Sequence, residues 1–336
     1  MAKHKVAVLV AGSWGTALAA VLADNGHEVR LWTRNAVQAE EINRTHVNAR
    51  YLPDVRLPDT IKAMTKLGDA VTGADAVLFV APSSALREVA RAAAPYLSSQ
   101  TLVIHAIKGF EVDTLKRMSS VLAEELPVAS ERLVVLSGPS HAEEVVRKQP
   151  TTVVVAAADQ AAAEQAQDYF INQYFRVYTN TDVVGVEVAG AIKNIIALGA
   201  GLSDGLGFGD NAKAALITRG LAEIGRLGEA MGANMLTFAG LAGVGDLIVT
   251  CTSQHSRNWR AGSLLAQGLS VDEVLARMGM VVEGIRTTSA AHALAARHNV
   301  QMPITEQLYA VLFEGKSPRL AVEHLMARGR TQEMDK

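Results

Sequence analysis

The chain has 336 residues, a length that favours two domains over one or four. Its 32 Lys and Arg against 34 Asp and Glu leave a formal net charge of -2, which excludes a sequence-wide field for nucleic acid or an anionic membrane and favours a small neutral-to-anionic ligand held at one local site. Aromatic residues supply only 5% of a 49% apolar composition, so the core is built from Ala, Val, Leu and Ile, and the single cysteine, Cys251, excludes an internal disulfide or a cysteine-based zinc cluster and suits a reducing, cytoplasmic setting.

The first apolar run, in MAKHKVAVLVAG, follows basic residues but spans about six positions, too few for the core of a signal peptide, and it reads as a strand. From Lys5 to about Tyr178, short β-branched runs alternate with Ala-rich stretches of helical period, the pattern of a parallel sheet with crossover helices. Strands are expected near Val6–Val10, Glu28–Trp32, Ala76–Val80, Thr101–Ala106, Leu133–Ser137, Thr152–Ala157 and Arg176–Tyr178, with helices at Gly15–Asn25, Ser84–Ala94 and Gln160–Ile171 among others. From about Val184 the strand signals vanish, which predicts a sheet domain over 1–183 and a helical domain over 184–336. The stretch Val183–Leu202 is apolar nearly all round, but Glu187, Lys193 and Asn194 near its middle are too expensive for lipid, so it reads as a helix buried in protein. The tail Gly329–Lys336 is expected to fray.

Val8–Asn35 follows the strand, glycine turn, helix, strand order of a dinucleotide-binding unit, with Gly12 and Gly15 in the second and third positions of G-x-G-x-x-G. The first position is Val10. A β-branched residue resists the positive φ open to glycine, so either the turn stays in the β region or cofactor binding is weakened. At the end of the second strand a NAD site would place an acid on the ribose hydroxyls; Arg34 stands there instead. It favours NADP(H), with room for NAD(H), unless it is simply a solvated loop residue.

Lys108 in AIKGFE lies just past a strand end, where its ammonium can meet a phosphate or carbonyl. Gly138, Pro139 and Ser140 form a strand-to-helix turn whose backbone N–H groups can receive an oxyanion; without G-x-S-x-G, Ser140 reads as a cap or ligand contact rather than a hydrolase nucleophile. Lys193, in an otherwise apolar helix, is either paired or functional, because an unpaired buried ammonium is costly. Burial and a nearby cation such as Lys108 would bring it toward the neutral pH at which proton exchange with an alcohol works best. Asp246 follows three glycines and suits a carboxylate held in a turn beside a lysine. Ser256, Arg257 and Asn258 precede a helical run and form either a phosphate site or an N-cap with a solvated Arg. Cys251 reads as a small buried apolar residue.

GSWGTAL at Gly12, GPSHAEEV at Gly138, AGAIKNIIALGAGLSDGLGFGDNAKAALITRGLAEI at Ala189 and GLAGVGDLIVTCTSQHSRN at Gly240 together resemble the bacterial NAD(P)-dependent glycerol-3-phosphate dehydrogenase family. The resemblance spans nearly the whole chain, and it implies an α/β fold: an N-terminal Rossmann-like doubly wound sheet plus a C-terminal all-helical domain. It implies interconversion of dihydroxyacetone phosphate and sn-glycerol 3-phosphate, feeding phospholipid synthesis, with NADP(H) or NAD(H) as cofactor and no metal. Lys193 is implied as proton acceptor for the C2 hydroxyl. Lys108, Gly138, Ser140, Asp246, Ser256, Arg257 and Asn258 are implied as substrate contacts. Ser13, Trp14, Arg34, Lys108, Ala142, Arg257, Val281 and Glu283 are implied as dinucleotide contacts, with the nicotinamide directed into an interdomain cleft. A triose phosphate partner and a homodimer follow from the resemblance alone. Two positions depart from it: His141 stands where the family has Phe, and Val10 where it has the first glycine. A β-hydroxyacid dehydrogenase or ketopantoate reductase of similar build, acting on a carboxylate, is the enzymatic alternative; a nucleotide-sensing protein with lapsed catalysis is the other.

Overall fold

The computed structural model describes residues 3–330 and 332–333; the rest of the tail read as frayed lies outside the described residues. The chain divides into two units, one of Met1–Ile107 and Arg117–Val183, the other of Lys108–Lys116 and Val184–Lys336. The excursion that carries Lys108 thus belongs with the helical part of the chain, a placement the sequence pattern did not reveal.

In chain order the strands are β1 (Lys5–Leu9), β2 (Glu28–Trp32), β3 (Ile61–Met64), β4 (Ala76–Phe79), β5 (Leu102–His105), β6 (Phe110–Glu111), β7 (Lys116–Arg117), β8 (Leu133–Ser137), β9 (Thr151–Ala156) and β10 (Phe175–Asn180). Eight of them form one sheet in the order β10-β9-β8-β5-β4-β1-β2-β3, and β6 pairs with β7 alone. The strands alternate between two covered faces. Val6, Val8, Leu78 and Ile104 join one apolar cluster, while Ala7, Leu9, Val77, Phe79 and Val103 join the other. That division is what period-two side-chain direction produces when helices cover both faces.

The sheet departs from the all-parallel expectation at one place: β9 runs antiparallel to β8. Between them lies only a four-residue helix, Ala142–Val145, in a short connection, too little chain for a helical crossover, so the chain folds straight back. The helix Gln160–Phe170 then returns it so that β10 runs parallel to β9. Strand β3 and the helix Ala36–Thr45 were also not read from sequence.

The second unit is organised by the helix Val183–Gly205, whose 23 residues are buried from Gly185 to Ser203. Length and hydropathy alone would let it cross a membrane, but 89% of its apolar window is buried inside the protein, as Lys193 and Asn194 require. Packing against it is close enough to need glycine. A Cβ on Gly262 would sit 2.0 Å from the Leu198 carbonyl oxygen, and one on Gly201 would sit 1.8 Å from that of Trp259, so the two backbones touch.

Candidate active site

In the first unit, the candidate positions lie at the carboxyl ends of β1, β2 and β8, where an open α/β sheet gathers ligands. After β1 the chain turns through Val10 and enters the helix Ser13–Asp24 with Gly12 as N-cap and no side chain capping it. A Cβ on Gly12 would meet nothing within 4 Å, whereas one on Gly15 would lie 2.2 Å from the Val10 carbonyl oxygen. Gly12, in the second position, therefore leaves open space before an uncapped helix N-terminus, and Gly15, in the third, lets the helix seat on the strand. Val10 does not stay in the β region: its φ is +86°. Its N–H still donates to Trp32 O at 3.0 Å, so the ladder holds to residue 10 and the backbone reverses immediately afterwards.

This turn fits a dinucleotide. Ser13 and Trp14 open the helix, and the Trp14 indole Nε1 is buried without a hydrogen-bond partner, a donor left over for a ligand. Arg34 follows β2, pairs with Glu88 at 2.8 Å with both side chains largely exposed, and stands 5.8 Å from the Trp32 ring centroid. After β8, Gly138 takes φ +132° and Ser140 donates its hydroxyl to Gly138 O at 2.9 Å. Ala142 begins the next helix with His141 as its N-cap.

The second unit brings the lysines together. Asp246 opens the helix Asp246–Thr252 directly after the glycine-rich turn Leu241–Gly245. Its Oδ1 accepts from Lys193 Nζ at 2.5 Å and its Oδ2 from Lys108 Nζ at 2.6 Å. Lys193 Nζ also donates to Thr250 Oγ1 at 2.7 Å, and that hydroxyl, one helical turn beyond Asp246, donates to Asp246 O at 2.6 Å. Asp246 and Lys193 are buried; Lys108 is 20% exposed and forms the open side of the group.

The charges explain the protonation states. Two ammoniums against one carboxylate would leave a net positive charge in a dry site. Burial brings Lys193 down to about 7, Asp246 opposes that fall, and the Lys108 charge reinforces it. Burial alone would lift the Asp246 carboxyl, but Lys108 and Lys193 outweigh it and hold it below the ordinary carboxylate range. Near neutrality the group is therefore a Lys108–Asp246 ion pair beside an amine that gains and loses a proton.

A second network surrounds it. Asn258 donates its side-chain N–H to Asn194 Oδ1 at 2.8 Å and accepts from Gly284 N at 2.9 Å, and Asn194 Nδ2 donates to Lys108 O at 3.4 Å. The Asn258 side chain is thus spent inside the protein. What remains toward a ligand is the N-terminus of the helix Arg257–Ala266, capped by Ser256, whose hydroxyl accepts from Trp259 N. Arg257 is exposed and donates to Val281 O at 3.1 Å; Glu283 begins the next helix, Glu283–His298. Asn194 and Thr250 were not assigned from sequence, although their offsets, one residue from Lys193 and four from Asp246, carried the signal. Cys251 is buried, and burial pushes its thiol up to about 12, which leaves it unreactive.

Residues 5–163 match the model of the NAD-dependent glycerol-3-phosphate dehydrogenase N-terminus and residues 182–323 that of its C-terminus. The chain is 61% identical over 333 residues to the glycerol-3-phosphate dehydrogenase [NAD(P)+] of Geobacillus thermodenitrificans, covering 99% of this chain and 97% of the relative. It is 57% identical over 332 residues to that of Bacillus subtilis, covering 98% and 96%. Among solved structures, glycerol-3-phosphate dehydrogenase from Coxiella burnetii superimposes with a TM-score of 0.92 at 42% identity, covering 97% of this chain and 99% of that one. With both family models matched in order and relatives aligned from end to end, the chain belongs to the NAD-dependent glycerol-3-phosphate dehydrogenase family.

Proposed function

We propose that the chain interconverts sn-glycerol 3-phosphate and dihydroxyacetone phosphate, and that the Lys108–Asp246–Lys193 group performs the proton half of the reaction. The observation that carries this is a buried amine brought to about 7 while hydrogen-bonded to a carboxylate that holds it in place. The nicotinamide, when bound, accepts or supplies the hydride at C2. Lys193 Nζ takes the C2 hydroxyl proton as the carbonyl forms and returns it on reduction, a transfer that runs best from a group titrating near the working pH. Asp246 fixes the direction of that Nζ. Lys108 neutralises Asp246 and turns its remaining N–H donors toward the substrate oxygen.

The phosphate is assigned to the N-terminus of the helix Arg257–Ala266, where backbone N–H groups and the Arg257 guanidinium meet an anion. Asn258 holds that helix end to Asn194 and Gly284. An anchored phosphate fixes C2, which supports catalysis by orientation. Gly138 and Ser140 are proposed as further substrate contacts, and Ser13, Trp14, Arg34, Lys108, Ala142, Arg257, Val281 and Glu283 as dinucleotide contacts. Arg34, standing where NAD sites carry an acid, supports NADP(H) as the preferred dinucleotide, with NAD(H) also used. A cytoplasmic homodimer supplying glycerol 3-phosphate to lipid synthesis accords with this reading.

The test is reduction of dihydroxyacetone phosphate with NADPH and with NADH, compared with a panel of keto acids lacking phosphate. Lys193→Ala is expected to lose on the order of 10²–10⁴-fold in kcat with its folding retained. Preference for a keto acid, or an active Lys193→Ala variant, would overturn the assignment.

A further inference from the structure

The dinucleotide turn keeps its shape at a cost concentrated in one residue. Val10 takes φ +86°, a left-handed conformation open to glycine and an outlier for a β-branched side chain. The chain has no easy way out of it. The Val10 N–H is committed to Trp32 O. Its carbonyl oxygen lies where a Cβ on Gly15 would fall, 2.2 Å away, so the helix seats directly on it. The valine side chain is partly buried and packs against the cluster that includes Leu9, Trp32 and Phe79. The backbone is therefore pinned on both sides of residue 10, and the turn is the one a glycine would make, with an isopropyl group added.

We propose that Val10 sets the affinity of this chain for its dinucleotide. Its side chain, only partly buried at the carboxyl end of β1, adds bulk to a turn that the dinucleotide fingerprint leaves to glycine, so the protein binds more weakly than its own turn geometry allows, and the left-handed valine also lowers the stability of the unliganded fold. The proposal rests on the reading of this turn as the dinucleotide site, and the experiment separates the two.

Val10→Gly and Val10→Ala are compared with the native chain by thermal unfolding without ligand and by calorimetric titration with NADPH. Val10→Gly is expected to raise Tm by about 2–4 °C, since it removes left-handed strain, and to tighten NADPH binding on the order of tenfold, since it removes the isopropyl group from the turn. Val10→Ala retains the positive φ but not the bulk; it is expected to recover most of the affinity and little of the Tm. A Val10→Gly variant with unchanged Tm, or with higher Tm and an affinity within about twofold of the native chain, would overturn the proposal. Folded native and Val10→Gly proteins that both fail to bind NADPH would overturn the turn's assignment itself.

Discussion

Lys193 Nζ and Asp246 Oδ1 lie 2.5 Å apart in a site that excludes water from both. The second Asp246 oxygen belongs to Lys108, so one carboxylate serves two ammoniums, and burial brings the deeper one, Lys193, down to about 7. Replacing Asp246 by Asn removes the charge that keeps Lys193 from falling further. Asp246→Asn is expected to drop kcat by on the order of 10² or more and to cost about 3–5 kcal/mol of stability, because it breaks a buried ion pair from one side. Denaturant unfolding and steady-state assays check this; a variant with native midpoint and rate would contradict it.

Arg34 and Glu88 form an exposed pair at the end of β2. If Arg34 receives the 2′-phosphate of NADP, Glu88 competes for it. Surface pairs contribute about 0–1 kcal/mol, so Glu88→Gln is expected to tighten NADPH binding by up to about fivefold and leave NADH binding unchanged. Titration of both nucleotides reads this directly. Equal effects on the two would show that Arg34 does not discriminate between them.

Away from the site, Glu223 is buried and caps the helix Pro303–Phe313, accepting from Ile304 N at 2.5 Å and from Thr305 N and Oγ1 at 3.2 and 3.1 Å. Burial lifts its carboxyl to about 7 despite those hydrogen bonds. Its folded value lies above its unfolded one, so the native state holds the extra proton. The contribution to stability is complete below about 4.5 and is lost as pH rises to about 7. The slope is at most about 1.4 kcal/mol per pH unit. Subtracting the stability profile of Glu223→Gln from that of the native protein, between pH 4.5 and 8, isolates this group; a flat difference would contradict the assignment.

Much of this was legible in the chain because period-two and helical patterns are local. The β1, glycine turn, helix, β2 order was readable from Val8 to Asn35, and the polar residues inside Val183–Leu202 marked a protein-buried helix. Lys193 and Asp246 were each visible as anomalies, an ammonium in hydrocarbon and an acid behind glycines. Their pairing, which spans 53 positions, depends on tertiary packing. Thr250 was marked only by its offset of four residues from Asp246, since a threonine on a helix is unremarkable until its neighbours are known. Strand β3, with the exposed Lys62 inside it, lacks the unbroken apolar run that marked β4, which is of the same length. Val10 left two alternatives open, and the choice fell to packing: the hydrogen bond to Trp32 and the close seat on Gly15 outweigh the conformational preference of valine.

The central claim is that Lys193 moves the proton. Oxidation needs it neutral and reduction needs it charged, so kcat/KM for glycerol 3-phosphate oxidation is expected to rise with pH through about 7 while that for dihydroxyacetone phosphate reduction falls through the same value. The pH dependence of kcat/KM in both directions is therefore the decisive measurement. Opposed limbs sharing a midpoint near 7 are the predicted result; profiles flat across that range, or two limbs running the same way, would contradict it.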